Sequence, residues 1–335
     1  MKPTQSRQPG IWRKDPLGDG QRLVFVGGSP RSGTTLVQNV LDSHPEILGT
    51  PELLHLPDLF RLRSRMSSSI ERGFLEFFCD DSDVDRATYE FVERLLGPIV
   101  ESSETRYVCE KTPSNVLVFS ELHDLFPASR FVLVLRDPRA IVSSLQRVGA
   151  RASGKASVQR YVTDVPAALR EVRAYLAAGF AFASERPDRC LTVRYEELTT
   201  RPREVTERLC DFLELEWSES MLYPERLSHA GEDALTREGV WYVPSEFKRA
   251  LTPQRNVAWK SELDPGHQIL VTRAFRDHTG LAEAGYRFDL DHIKGIGGLM
   301  ARASWGRDAV LRRIRRNNRH PDRTRTAISV ALPEY

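Results

Sequence analysis

Two glycines separated by four residues, set just after a short apolar run, constrain this chain more than any other feature. The run is Leu23-Val-Phe-Val26 and the loop is Gly28-Ser-Pro-Arg-Ser-Gly-Thr-Thr35. Gly28 and Gly33 have the spacing of a phosphate-cradling loop. In nucleotide-hydrolysing loops a Lys follows the second glycine; here that position is Thr34, and the positive charge sits inside the loop at Arg31. Glycines let backbone approach an anion, successive N–H groups form a concave site, and a following helix adds its positive end. Pro30, Arg31, Ser32, Gly33, Thr34 and Thr35 are therefore expected to hold a phosphate-bearing nucleotide in a loop not built for NTP hydrolysis. On this motif alone, a degenerate P-loop or an ordinary Gly-rich turn is the alternative.

The periodicity supplies the setting. Leu23–Gly27 suits a strand buried on both faces. Leu36, Val37, Val40 and Leu41 have helical spacing within 34–43, and His44-Pro45 stops that helix. Residues 53–105 read as largely helical, with one apolar stripe from Leu53 to Leu62, a second in Phe74, Leu75, Phe77 and Phe78, and a third over Tyr89–Val100. Tyr107–Cys109 begins a strand that runs into Glu110-Lys111, and Asn115–Phe126 reads as a helix. Arg130–Leu135 is the clearest buried strand, followed by a helix over Ala140–Arg147. Gly149–Ser157 suggests a loop, Pro166–Ser184 a long helix, Cys190–Tyr195 a strand and Arg203–Leu213 a helix. Strands alternating with helices predict an α/β fold, a P-loop-like parallel β-sheet flanked by helices, with helical excursions. A single domain over 22–290 is expected, after a flexible segment (1–21) and before a basic extension (291–335).

Charge and composition exclude several classes. The net charge of +2 is too small to suggest nucleic acid as a partner. The excess is local: residues 294–335 carry ten Lys or Arg and three acidic residues. Trp305–Arg316 reads as a solvated basic helix docked by Trp305, Leu311 and Ile314, or as a weak contact to an anionic acceptor or membrane surface. The four cysteines, Cys79, Cys109, Cys190 and Cys210, form no CxxC pair, and no His cluster completes a metal site, so reduced buried thiols and no metal are expected. The chain has no apolar run of ~18 or more residues and its first residues lack a secretory h-region. No transmembrane segment, a cytoplasmic location and a bacterial origin are the corresponding expectations.

The sequence Ser29-Pro-Arg-Ser-Gly-Thr-Thr35 after a strand resembles the 5′-phosphosulfate loop of sulfotransferases, which use 3′-phosphoadenosine 5′-phosphosulfate (PAPS). Four further segments carry the resemblance, which spans roughly residues 22 to 286. Arg136-Asp-Pro-Arg-Ala-Ile-Val-Ser-Ser144 resembles the 3′-phosphate motif, implying phosphate contacts from Arg136 and Ser144; a salt bridge of Arg136 with Asp137 or Glu110 is the structural alternative. Tyr195, at a strand end, matches a Tyr that contacts the adenosine. Arg255–Lys260, followed by Gly285-Tyr286, resembles the segment that closes over the nucleotide, implying Trp259 over the adenine and Lys260 on a phosphate; the alternative is a core Trp259 and a solvated Lys260.

The last segment bears on mechanism. Pro51-Glu52-Leu53 is similar to the place where protein-tyrosine and heparan-type sulfotransferases carry a catalytic Glu. The second-strand segment Glu110-Lys-Thr-Pro113 lacks the His of the cytosolic branch, and Lys111 matches a Lys of the Glu-type enzymes. The resemblance therefore implies sulfuryl transfer from PAPS, without a metal, with Glu52 as general base and Lys111 and Arg31 stabilising charge on the leaving phosphate. Glu46 is the rival base. The acceptor is a protein tyrosine, a glycan, a lipid or a specialised metabolite, in a pocket walled by 53–105, 146–185 and 225–254, with Trp241-Tyr242 as contacts. A kinase-like P-loop protein and a non-catalytic nucleotide-binding module are the competing readings.

Overall fold

The computed structural model describes residues 16–152, 159–237 and 239–289. Its centre is a five-stranded parallel sheet: β1 (Leu23–Gly28), β2 (Ile47–Gly49), β3 (Tyr107–Lys111), β4 (Arg130–Leu135) and β5 (Cys190–Arg194), in the order β2-β3-β1-β4-β5. Helices follow the strands: α1 (Thr34–Asp42), α2 (Leu56–Glu71), α3 (Asp81–Ser102), α4 (Phe119–Leu125), α5 (Pro138–Ala152), α6 (Val165–Glu185), α7 (Tyr195–Thr200) and α8 (Pro202–Leu213). Later connections place β3 on one side of β1 and β4 on the other, so the order reverses at β1. Open parallel sheets bind ligands beyond the carboxyl ends of their strands at such a reversal, and the Gly28–Thr35 loop leaves β1 there.

Alternation along the strands builds a core on each face of the sheet. Phe25 and Phe131 pack with Phe119, Phe126 and Phe182 on one face, with Phe131 and Phe182 centroids 4.7 Å apart. Val24, Val26, Val132, Val134 and Val193 face the other way, onto Val37 and Leu41 of α1 and Leu209 of α8.

The structure departs from the sequence expectations in four places. β2, three residues long, is too short to show a period. The second apolar stripe is not helical: Gly73, at φ 78°, follows the end of α2, and a reciprocal Asp80–Asp83 capping box starts α3. Phe74, Phe77 and Phe78 lie between them at 71%, 90% and 77% exposure. The helix expected over Asn115–Phe126 is divided into a 3₁₀ turn, Pro113–Val118, and α4. Helix α5 runs on through Ala152, and Gly149 within it lets the later loop pack close; a Cβ there would lie 2.5 Å from the Val162 carbonyl oxygen.

Ordered structure begins before residue 22: Leu17 is buried, and the Asp19 carbonyl accepts the Ala128 N–H at 2.9 Å. The basic segment Trp305–Arg316 and most of the loop 149–157 lie outside the described residues. Among the described residues, no helix is long and apolar enough to cross a membrane.

Candidate active site

The loop needs its glycines. A Cβ on Gly28 would lie 2.5 Å from the Val134 carbonyl oxygen, so only glycine lets the loop leave β1 so close to β4. Gly33 has φ 101°, and a Cβ there would collide with the Tyr195 ring. Arg31 also takes a left-handed backbone, φ 70°, which costs energy in a residue with a side chain. Ser32 is fully buried, and its Oγ has no hydrogen-bond partner among the described residues. Gly33→Ala should destabilise the fold by roughly 1–3 kcal/mol from backbone strain alone, with the ring collision added. Thermal unfolding checks this; an unchanged midpoint would contradict the loop geometry.

Arg136 stands at the carboxyl end of β4. Its Nη1 donates to the Arg31 carbonyl at 3.0 Å, its Nη2 to the Arg255 carbonyl at 3.4 Å, and its guanidinium lies 3.9 Å from the Tyr195 ring centroid. The structural alternative fails: Asp137 pairs with Arg139 at 2.7 Å, and Glu110 bonds elsewhere. Arg136 is 7% exposed, has no ion-pair partner among the described residues, and leaves its Nε unbonded there. It is a buried cation at the edge of an open cleft, with the Glu196 carboxylate near but not in contact. Ser144 of α5 faces the same cleft and accepts from Arg31 Nε at 3.0 Å.

Behind the loop lies a second group. Lys111, at the end of β3, is fully buried. Its ammonium bonds to the Glu52 carboxylate and donates to Thr35 Oγ1 at 3.0 Å. Thr35 Oγ1 in turn lies 3.1 Å from the Tyr242 hydroxyl. Burial pulls the Lys111 pKa down, but Glu52 beside it, with Tyr242 and Glu110, outweighs that and holds it above the usual lysine value. Glu52 and Lys111 come together across 59 residues of sequence. The rival Glu46 is exposed just before β2, at the opposite end of that strand from Glu52. His44 closes the turn after α1, with Nε2 2.8 Å from the Glu216 carbonyl.

Glu110 precedes Lys111 and is buried. Burial pushes its pKa up to about 7, outweighing hydrogen bonds from Leu53, Thr112 and Asn115, and nearby Glu52 adds to the rise. The folded chain thus keeps a proton that the unfolded chain releases near pH 4.5. The associated stability is fully present below that pH and lost as pH rises through about 7. Glu110→Gln removes the effect. Its stability relative to the parent should improve between pH 5 and pH 8 by up to roughly 3 kcal/mol; denaturant melts giving a pH-independent difference would contradict this.

Residues far along the chain complete the site. Glu246 accepts from Arg31 Nη2 at 2.9 Å and from Arg151 Nη1 at 3.2 Å. The Trp241 carbonyl accepts from Arg31 Nη1 at 2.8 Å, and the Arg31 guanidinium lies 4.6 Å from the Tyr242 ring centroid. Tyr242 and Glu246 line the cleft with Gly33, Thr35, Arg136 and Tyr195. No motif marks Glu246, and 215 residues separate it from Arg31. Trp259 and Lys260 do not line the cleft. Trp259 is 3% exposed, with the Arg139 guanidinium 4.2 Å from its ring centroid, and Lys260 is exposed. Arg255 of the same segment does line it.

The sulfotransferase family model matches residues 24–219, which hold the loop, Glu52, Lys111, Arg136, Ser144 and Tyr195. The chain belongs to the sulfotransferase family. It is 31% identical over 224 residues to protein-tyrosine sulfotransferase 1 of Danio rerio, covering 65% of the chain and 59% of that protein. It is 29% identical over 307 residues to nodulation protein NoeE of Sinorhizobium fredii, covering 82% of the chain and 68% of that protein. The match therefore spans little more than half of the Danio rerio protein. The sulfotransferase domain from the curacin biosynthetic pathway has the same fold, with TM-score 0.52 and 18% identity over 79% of this chain and 98% of that one.

Proposed function

We propose that this sulfotransferase takes PAPS as its donor and moves the sulfuryl group to a hydroxyl or amine of an acceptor, with Glu52 as general base. The observation that carries the reading is the Glu52–Lys111–Thr35 chain behind the phosphate loop. The residues present fit the donor. The orphaned Ser32 Oγ and the glycine-lined backbone suit the 5′-phosphosulfate, and Arg136, a buried cation whose Nε is unbonded among the described residues, suits the 3′-phosphate beside Ser144 and Tyr195.

PAPS, when bound, supplies the sulfuryl group and departs as adenosine 3′,5′-bisphosphate. The chain does the rest. Glu52 takes the acceptor proton, a contribution of ~10²–10⁴-fold for a general base. Lys111 bonds the Glu52 carboxylate and brings a fixed positive charge to the loop. Arg31 and the N–H groups of Gly33–Thr35 face the leaving phosphate, where preorganised donors act on developing charge. Arg31 must then share or release its contact with Glu246.

A protein tyrosine leads the acceptor candidates, on the name of the Danio rerio relative; a glycan, a lipid or a specialised metabolite is the remaining range. A cytoplasmic site of action belongs to the same proposal.

Adenosine 3′,5′-bisphosphate should raise the melting temperature, with about 2.7 kcal/mol of stabilisation at a hundred times its dissociation constant. AMP and ATP with Mg²⁺ should do much less, because neither carries a 3′-phosphate for Arg136 and Ser144. Equal stabilisation by AMP would remove the 3′-phosphate assignment.

A further inference from the structure

Glu110 takes no part in the reading above, yet it is built into the same site. Its Oε1 accepts the Leu53 backbone N–H at 2.9 Å and the Thr112 hydroxyl at 2.8 Å, and its Oε2 accepts from the Asn115 amide. Adjacent strand residues point to opposite faces. Glu110 and Lys111 nonetheless reach one short turn from the end of β3: Lys111 bonds the Glu52 side chain, and Glu110 bonds the backbone one residue on. The turn is also held at Thr50, whose N–H donates to the Cys109 carbonyl at 3.0 Å. Glu52 thus sits between two anchors, both on β3.

We propose that Glu110 is a positioning residue for Glu52: by accepting the Leu53 N–H it fixes the turn Pro51–Leu53, so that the Glu52 carboxylate sits on Lys111 and beside Thr35. This inference rests on Glu52 being the base. The role belongs to the Oε1 acceptor rather than to charge, and Asn115 makes that distinction testable. Asn115 is buried, and its Oδ1 has no hydrogen-bond partner among the described residues. A glutamine at 110 keeps its own oxygen for Leu53 and Thr112 and gives its N–H to the turned Asn115 amide.

The experiment compares Glu110→Ala, Glu110→Gln, Thr112→Val and Glu52→Gln in the full chain, with binding of adenosine 3′,5′-bisphosphate as the check of folding. Turnover of Glu110→Ala should fall about 10²-fold, the scale of an ångström-sized misplacement of a catalytic group. The donor Michaelis constant and bisphosphate affinity should stay within about twofold, since the donor residues are untouched. Glu110→Gln should restore most of the turnover. Thr112→Val removes one brace on the same oxygen and should lose several-fold in turnover; it carries the test if Glu110→Ala does not fold. Parental turnover in Glu110→Ala, or in Thr112→Val where Glu110→Ala is unfolded, overturns the proposal, as does equal loss in the Ala and Gln variants. An inactive Glu52→Gln beside an active Glu110→Ala defeats the positioning role alone; an active Glu52→Gln defeats the base itself.

Discussion

Glu52→Gln should bind adenosine 3′,5′-bisphosphate about as well as the parent and turn over at least ~10²-fold more slowly. The amide keeps the size and the acceptor oxygen of the carboxylate, so the contact with Lys111 survives as a hydrogen bond. It cannot accept a proton from the acceptor. The substitution also leaves the buried Lys111 ammonium without its counter-ion, and breaking one side of a buried pair costs about 3–5 kcal/mol. The free variant should therefore melt earlier. Glu46→Gln, exposed at the far end of β2, should be neutral. A Glu52→Gln enzyme with near-parental turnover would remove the base assignment, and an inactive Glu46→Gln would move it.

Lys111→Ala should lower turnover by about 10²–10³-fold, the scale seen when one preorganised donor to developing charge is deleted. Donor affinity should fall much less, because the leaving oxygen gains its charge only as the bond to sulfur breaks. The pair Lys111→Ala and Arg136→Ala separates chemistry from binding. Arg136 lies over Tyr195 at the cleft, and in the proposed function it faces a phosphate whose charge does not change in the reaction. Losing a hydrogen bond to a charged group costs about 1.5–3 kcal/mol of binding. If Lys111→Ala altered only the Michaelis constant, its place in the chemistry would be wrong.

Sheet and loop were legible because their signals are local. The Leu23–Val26 run, the Arg130–Leu135 run and the glycine spacing each sit within a few residues, and each became the predicted element. The shortest strand, Ile47–Gly49, had no room for a pattern. Phe74, Phe77 and Phe78 misled for the opposite reason: apolar residues at close spacing read as a buried stripe, while Gly73 and the Asp80 cap turn the chain there.

The site was legible where resemblance supplied long-range pairing. Glu52 and Lys111 were joined that way, and the structure puts their side chains in contact. Arg31 with Glu246, and Thr35 with Tyr242, are pairings across more than 200 residues that no local rule reveals. For Trp259 the resemblance implies an adenine cover, and the structure buries that ring beneath the Arg139 guanidinium.

The most direct test of the account follows radiolabelled sulfur from PAPS into a panel of tyrosine peptides, glycans, lipids and phenolic metabolites. A labelled acceptor should form together with an equal amount of adenosine 3′,5′-bisphosphate, and Glu52→Gln should lose both. Tight bisphosphate binding with no labelled product from any acceptor class, or group transfer that requires ATP instead of PAPS, would contradict it.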